Sequence, residues 1–244
     1  MDAERSQVQW GRTAIPYEIR RSGARVTVSI AVEPSGDVAL TAPRTAEIDK
    51  LDRLVLTKAP WIVEKRKGRS ERPPAPAREF AGGETFLYLG RQYRLRIEAD
   101  PTRIGPLTLE HGWFRICVPG FLEEQHRAGY VRAALVDWYL KRANIRLPER
   151  VVHWSGKLGV PVPRVLVREP KKRRGSCHPS GLVRLNWRII QAPLRLVDHV
   201  VAHELCHLLQ EGHGRRFRAT LGRVMPDYEA RRASLSELGA RLIG

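Results

Sequence analysis

Cysteine is scarce in this sequence. Cys117, Cys177 and Cys206 are the full set, odd in number and widely spaced, which argues against a disulfide framework. There is no Cys-x-x-Cys pair, which argues against a cysteine-rich zinc site too. No apolar run approaches the roughly 18 residues that a membrane span needs. The opening Met1-Asp2-Ala3-Glu4-Arg5-Ser6-Gln7 is polar and lacks the apolar core of a secretory signal. These absences make a cytoplasmic location, with no membrane partner, the expectation. No internal repeat is visible.

Positive charge, by contrast, is abundant. The formal balance is +17 over 244 residues. Such a field attracts polyanions: nucleic acid, nucleotides or anionic lipid surfaces. It is equally what arginine spread over a solvated surface produces, and charge speaks to association rather than to fold.

The chain divides by pattern, and α+β is the expected class. Residues 1–120 read as a β-rich region and 121–244 as a mostly helical core. Ala24 to Val32 is β-branched and partly alternating, and Pro34-Ser-Gly-Asp37 marks a turn into Val38-Ala-Leu-Thr41. Ile48 to Lys67 has helical spacing, with Pro60 expected to break or kink it. Arg69 to Arg78 reads as a linker. Phe86 to Ile97 suggests a hairpin turning near Gly90-Arg91, and a second hairpin is expected around His111-Gly112. A helix is expected over 123–146, with a continuation over 148–158. Short strands at 164–168 and 182–185 flank a loop at 171–181. Pro193 opens a helix expected to reach about Glu211, and two more helices follow, near 215–224 and 226–242.

The chemistry concentrates in His203-Glu204-Leu205-Cys206-His207. Histidines four apart on a helix lie one above the other on one face, so both can reach one cation at zinc–nitrogen distances near 2.0–2.1 Å. Glu204 beside that cation would take the proton of its bound water. The helix is apolar nearly all round, which implies burial, and buried polar groups need partners that a metal can supply. A catalytic zinc usually has three protein ligands. His213 is the best third candidate, because Gly212 can end the helix and turn the chain back. His199 is a rival, but His199 to His207 spans about 12 Å of helix axis. His178, in a loop, is a weaker rival. His111, His126 and His153 read as surface or satisfied histidines, and Cys206 as a packing thiol.

Taken together, these blocks resemble a known group. Gly175-Ser-Cys177, Leu185-Asn-Trp-Arg-Ile-Ile190, Ala192-Pro193, Val200 to His207, His213 and Phe217 are similar in order and spacing to the YgjP-like metal-dependent hydrolases. These are related to SprT-like and compact gluzincin-type zincin metallopeptidases. The resemblance is strong over Val165 to Pro226 and weaker over the N-terminal half. It implies a zincin-like core, a small sheet beside the metal helix. It also implies His203, His207 and His213 as zinc ligands and Glu204 as catalytic base. Where the family usually has tryptophan before Gly-Ser-Cys, this sequence has Arg174.

A zinc-dependent metallopeptidase acting on peptide or protein is the leading functional reading. Zinc hydroxide with a glutamate base can also attack a phosphoryl centre. The run Lys171-Lys172-Arg173-Arg174 is a candidate substrate-binding element for an anionic nucleotide or nucleic acid; its plain alternative is a solvated hairpin tip. A zinc phosphohydrolase, or a nucleic-acid-associated module with a zinc site, are the other readings.

Overall fold

The computed structural model describes residues 4–33, 35–70, 78–99, 105–170, 173–238 and 242. The chain forms two compact units, residues 1–74 and 75–244. The β-hairpins expected near residues 90 and 111 therefore belong to the same unit as the metal-motif helix. Most of the expected linker, residues 71–77, lies outside the described residues, as do Lys171 and Lys172. Among the described residues no helix is long and apolar enough to cross a membrane.

The first unit is one sheet and one helix. Strands β1 (Glu4–Trp10), β2 (Thr13–Ser22), β3 (Ser29–Val32) and β4 (Val38–Pro43) lie in the order β1-β2-β4-β3. The central pair β2–β4 is parallel and the outer pairs antiparallel. Alternation buries Ile15, Tyr17 and Ile19 from β2 and Val38, Leu40 and Ala42 from β4. Helix α1 (Ile48–Ser70) packs Leu51, Val55, Ala59 and Ile62 into the same core. Pro60 is carried inside this one helix rather than dividing it.

The second unit begins with the same arrangement. Strands β5 (Thr85–Tyr88), β6 (Arg91–Ala99), β7 (Gly105–Glu110) and β8 (Trp113–Val118) lie in the order β5-β6-β8-β7, again with the central pair parallel. Helix α2 (Glu124–Leu158) follows, as α1 follows β4. The two modules share Gly-Arg at the first turn (Gly11-Arg12, Gly90-Arg91) and a proline after the fourth strand's core residues (Pro43, Pro119). Few other identities mark the repetition, so the sequence alone does not display it. Helix α2 runs unbroken through Pro148, joining the helix expected over 123–146 to its expected continuation over 148–158. Its buried stripe, Val131, Leu135, Tyr139, Leu147, Val151 and Trp154 among others, outweighs the ~3 kcal/mol an interior proline costs. Gly159 (φ +68°) ends it in the left-handed region.

The rest of the unit builds the site. Strands β9 (Arg164–Arg168), β10 (Gly175–Cys177) and β11 (Leu182–Asn186) form a small sheet ordered β10-β11-β9, β9 parallel to β11 and β10 antiparallel on the outer edge. Strand β10 falls where the sequence suggested only a loop. A 3-10 turn, Trp187–Gln191, leads into α3 (Leu194–Cys206), followed by α4 (Arg215–Val224) and α5 (Tyr228–Leu238). Helix α3 stops at Cys206, short of the expected Glu211. Its last turn tightens as the N–H groups of His207, Leu208 and Leu209 donate to carbonyls three residues back.

Candidate active site

Helix α3 is gripped on several sides. Leu196, Val197, Val201, Ala202, Leu205 and Cys206 are buried in the core it shares with α2. Arg150 of α2 holds Asp198 through two parallel hydrogen bonds, 2.7 and 3.0 Å. Arg231 of α5 donates to the Arg195 carbonyl at 3.0 Å. Ahead of the helix, the N–H groups of Leu89 and Gly90 in the β5–β6 turn donate to the carbonyls of Ile190 and Gln191. Gly90 (φ +81°) is pressed so closely on Pro193 that a Cβ would stand 2.7 Å from its Cα. A rigid helix entry follows from these contacts, and rigidity is what a metal site needs.

Three imidazoles converge at the other end of α3. His203 lies in the last turn and His207 caps the helix in helical geometry (φ −69°, ψ −14°). Gly212 (φ +69°) then reverses the chain. His213 returns to place its Nε2 3.0 Å from His203 Nε2. One ring nitrogen from each of His203, His207 and His213 lies within 4.8 Å of the others, the arrangement of a possible metal site. The Phe217 ring sits 4.8–4.9 Å from all three imidazoles and fixes their orientation. His207 Nδ1 is 3.3 Å from the Gln210 carbonyl. Donation there keeps the proton on Nδ1 and leaves Nε2 free to ligate.

The local electrostatics suit the residue types. Burial, reinforced by His207 and His213, pushes His203 down to about 4, so it is neutral at pH 7 and able to ligate. Burial also lowers His207. Glu204 is only 8% exposed, and burial raises its carboxyl to about 7, against the pull of Arg173. A carboxyl tuned there can both accept and return a proton near neutrality. It rests against β10: a Cβ on Gly175 would lie 2.7 Å from Glu204 Cγ and Oε1. The absent side chain at Gly175 is what makes room for the carboxyl.

Two cavities meet at Glu204. One, of about 820 Å³, is lined by Arg173, Arg174, Arg188 and Arg232 together with His203 and Glu204. The other, of about 780 Å³, runs past Cys177, His178, Leu209 and Glu211 to the same His203 and Glu204. The rival histidines lie apart from the triad. His199 has its ring 6.1 Å from that of His203, and its buried Nδ1 has no partner among the described residues. His178 Nδ1 engages Ser180. His111 occupies a hairpin turn, His126 pairs with Glu123, and His153 packs on Trp154. Cys206 is buried in the core. Sequence reading missed Gly175 as the seat of Glu204 and missed Arg232, and it carried Arg188 only inside the Leu185–Ile190 block without a role. Asn186 was legible only as part of a motif. Its amide holds the carbonyls of Pro170 and Arg173, both at 3.1 Å.

Two imidazoles at the end of a buried helix, a third returned by the chain reversal after it, and a buried glutamate between them form an arrangement suited to metal-dependent hydrolysis. Residues 26–238 match the family described as YgjP-like, metallopeptidase domain. The match takes in most of the chain, which belongs to the YgjP-like metallopeptidase family and is thus a metal-dependent peptidase. No curated protein matches it. Among solved structures it is similar to the metallopeptidase zymogen of Pyrococcus abyssi abylysin, with 19% identity, 38% of this chain and 95% of that chain covered, and a TM-score of 0.35. It is also similar to the metallopeptidase zymogen of Methanocaldococcus jannaschii jannalysin, with 16% identity, 37% and 94% coverage, and a TM-score of 0.35.

Proposed function

We propose that the chain is a zinc peptidase in which His203, His207 and His213 hold the metal and Glu204 is the general base. The convergence of three imidazole nitrogens beside a buried carboxyl carries this reading. Three neutral imidazoles suit zinc and leave a position open for reaction. When bound there, zinc supplies Lewis acidity, polarising a carbonyl and making water more acidic. Glu204 accepts the proton of the attacking water and returns it to the departing amine nitrogen. Strand β10 is an edge with no strand on its outer side among the described residues, so an extended peptide can add to it and pass Glu204.

A phosphoryl or nucleic-acid substrate would draw on the basic residues. Arg173 and Arg174 line the cleft, while Lys171 and Lys172 lie outside the described residues. The test is metal analysis and turnover together, with unfolded proteins and nucleoside triphosphates as substrates. Glu204→Gln should keep stoichiometric zinc and lose roughly 10³-fold in peptide turnover. His213→Ala should lose zinc. Unimpaired peptide turnover in Glu204→Gln, or undiminished zinc affinity in His213→Ala, would overturn the assignment. Triphosphate hydrolysis without peptide hydrolysis would favour the phosphoryl reading.

A further inference from the structure

We infer that the arginine-lined cavity beside Glu204 is a specificity pocket for an acidic side chain next to the scissile bond, so that the enzyme cleaves at Asp or Glu. The inference rests on the peptidase reading and names the substrate class that reading leaves open.

Four guanidinium groups from three separate elements face one cavity of about 820 Å³: Arg173 and Arg174 ahead of β10, Arg188 on the 3-10 turn, and Arg232 on α5. Glu204 is the one carboxylate among the described lining residues. Two of the four charges are already engaged. Arg188 pairs with Glu169 at 2.6 Å, and Arg174 donates to the Leu235 carbonyl at 3.0 Å. Arg173 and Arg232 are exposed and form no ion pair among the described residues. Two guanidiniums outside any ion pair, one of them also drawing on Glu204 electrostatically, present on one cavity the forked donors that a carboxylate accepts.

The loop bearing Arg173 is built rather than loose. Buried Asn186 donates to the carbonyls of Pro170 and Arg173, and its own N–H donates to the Arg174 carbonyl at 2.8 Å. The cavity opens directly onto His203 and Glu204, so a group bound there neighbours the reacting bond. The cavity on the other side of Glu204 shares Arg173 but adds Glu211 and apolar Leu208 and Leu209. The electrostatic asymmetry predicts acidic preference on one side of the cut only. A peptide is favoured over nucleic acid because the arginines converge on a pocket at the catalytic carboxyl instead of forming a stripe along which a backbone could track.

The experiment is digestion of a random-sequence peptide library by the intact zinc-loaded chain, with cleavage sites read by mass spectrometry. A second arm measures equilibrium binding of one Glu-containing peptide and its Gln counterpart to Glu204→Gln protein, at two salt concentrations. Asp and Glu should be enriched at one flanking position. The Glu peptide should bind about tenfold more tightly than the Gln peptide, and less so in high salt. Arg173→Glu with Arg232→Glu should erase that preference, and the milder Arg232→Gln should reduce it. Arg132→Glu, on exposed α2 surface, should leave it intact. Cleavage with no acidic preference, or a preference that survives the Arg173 and Arg232 reversals, overturns the pocket and leaves the peptidase standing. Competition by oligonucleotide but not by the acidic peptide overturns it in favour of a nucleic-acid surface. No cleavage of any peptide overturns the peptidase reading itself.

Discussion

The module of β1–β4 with α1 and the module of β5–β8 with α2 are wound alike: same strand order, same central parallel pair, same trailing helix. They differ in what they pack against. The first closes its core with α1, and no group of metal-ligating side chains converges among its described residues. In the second, α2 runs 35 residues against 23 for α1, and its extra length bears Arg150, Val151 and Trp154, which face α3 or its core. The hairpin turns differ in the same sense. An added Cβ on Gly11 would meet nothing within 4 Å, whereas one on Gly90 would strike Pro193. Topology is therefore neutral as to function. Docking of a turn and a lengthened helix onto α3 is what makes one module a scaffold for the site.

Metal removal is the strongest test of that contrast. Chelation should weaken the 75–244 unit by about 4 kcal/mol at metal levels a thousandfold above Kd. Amide exchange in β1–β4 should be unchanged. Uniform loss of protection in both units would dissolve the distinction. Next in size is Gly90→Ala, where left-handed strain adds to a clash with Pro193. We expect about 3 kcal/mol of destabilisation and reduced metal affinity, measured by denaturation and metal titration.

Acid should separate the two units by a smaller margin. All eight histidines lie after residue 110. His199 is 4% exposed and burial holds it at about 4, below its value in the unfolded chain. The unfolded state therefore binds more protons between about pH 4 and 6.5. The stability conferred by keeping His199 neutral is present above that window and falls as pH drops through it. At pH 5 the loss is about 2 kcal/mol, with His203 adding to it in the metal-free chain. Exchange at pH 7 and pH 5 should show it in the second unit alone. The smallest effect is that of Gly11→Ala, at about 1 kcal/mol from a positive φ in open space. A cost equal to that of Gly90→Ala would erase the distinction between the two turns.

Much of this was legible locally. The turns at Gly90 and Gly112, the helix carrying His203 and His207, and the reversal at Gly212 follow from spacing and glycine chemistry. Helix ends were less legible. Pro60 was expected to break or kink its helix and Pro148 to open a continuation, yet each is carried inside one helix with buried residues on both sides of it. The repeated module escaped notice because alternating apolar residues and two-residue turns can be written in many ways. Gly175 and Arg188 stood in the family-like blocks without a visible role beside Glu204, and Arg232 gave no signal at all.

By itself, then, the sequence determined the metal motif: the 3.6-residue period places His203 and His207 on one face with Glu204 between them, and Gly212 allows His213 to return. Those are short-range constraints of backbone geometry. Only the tertiary structure decided that Glu204 rests in the space left by Gly175, that Asn186 fixes the loop of Arg173, and that arginines nearly sixty residues apart share one cavity. Such meetings depend on how sheet and helices pack, and packing is set by the whole core rather than by any local run of residues.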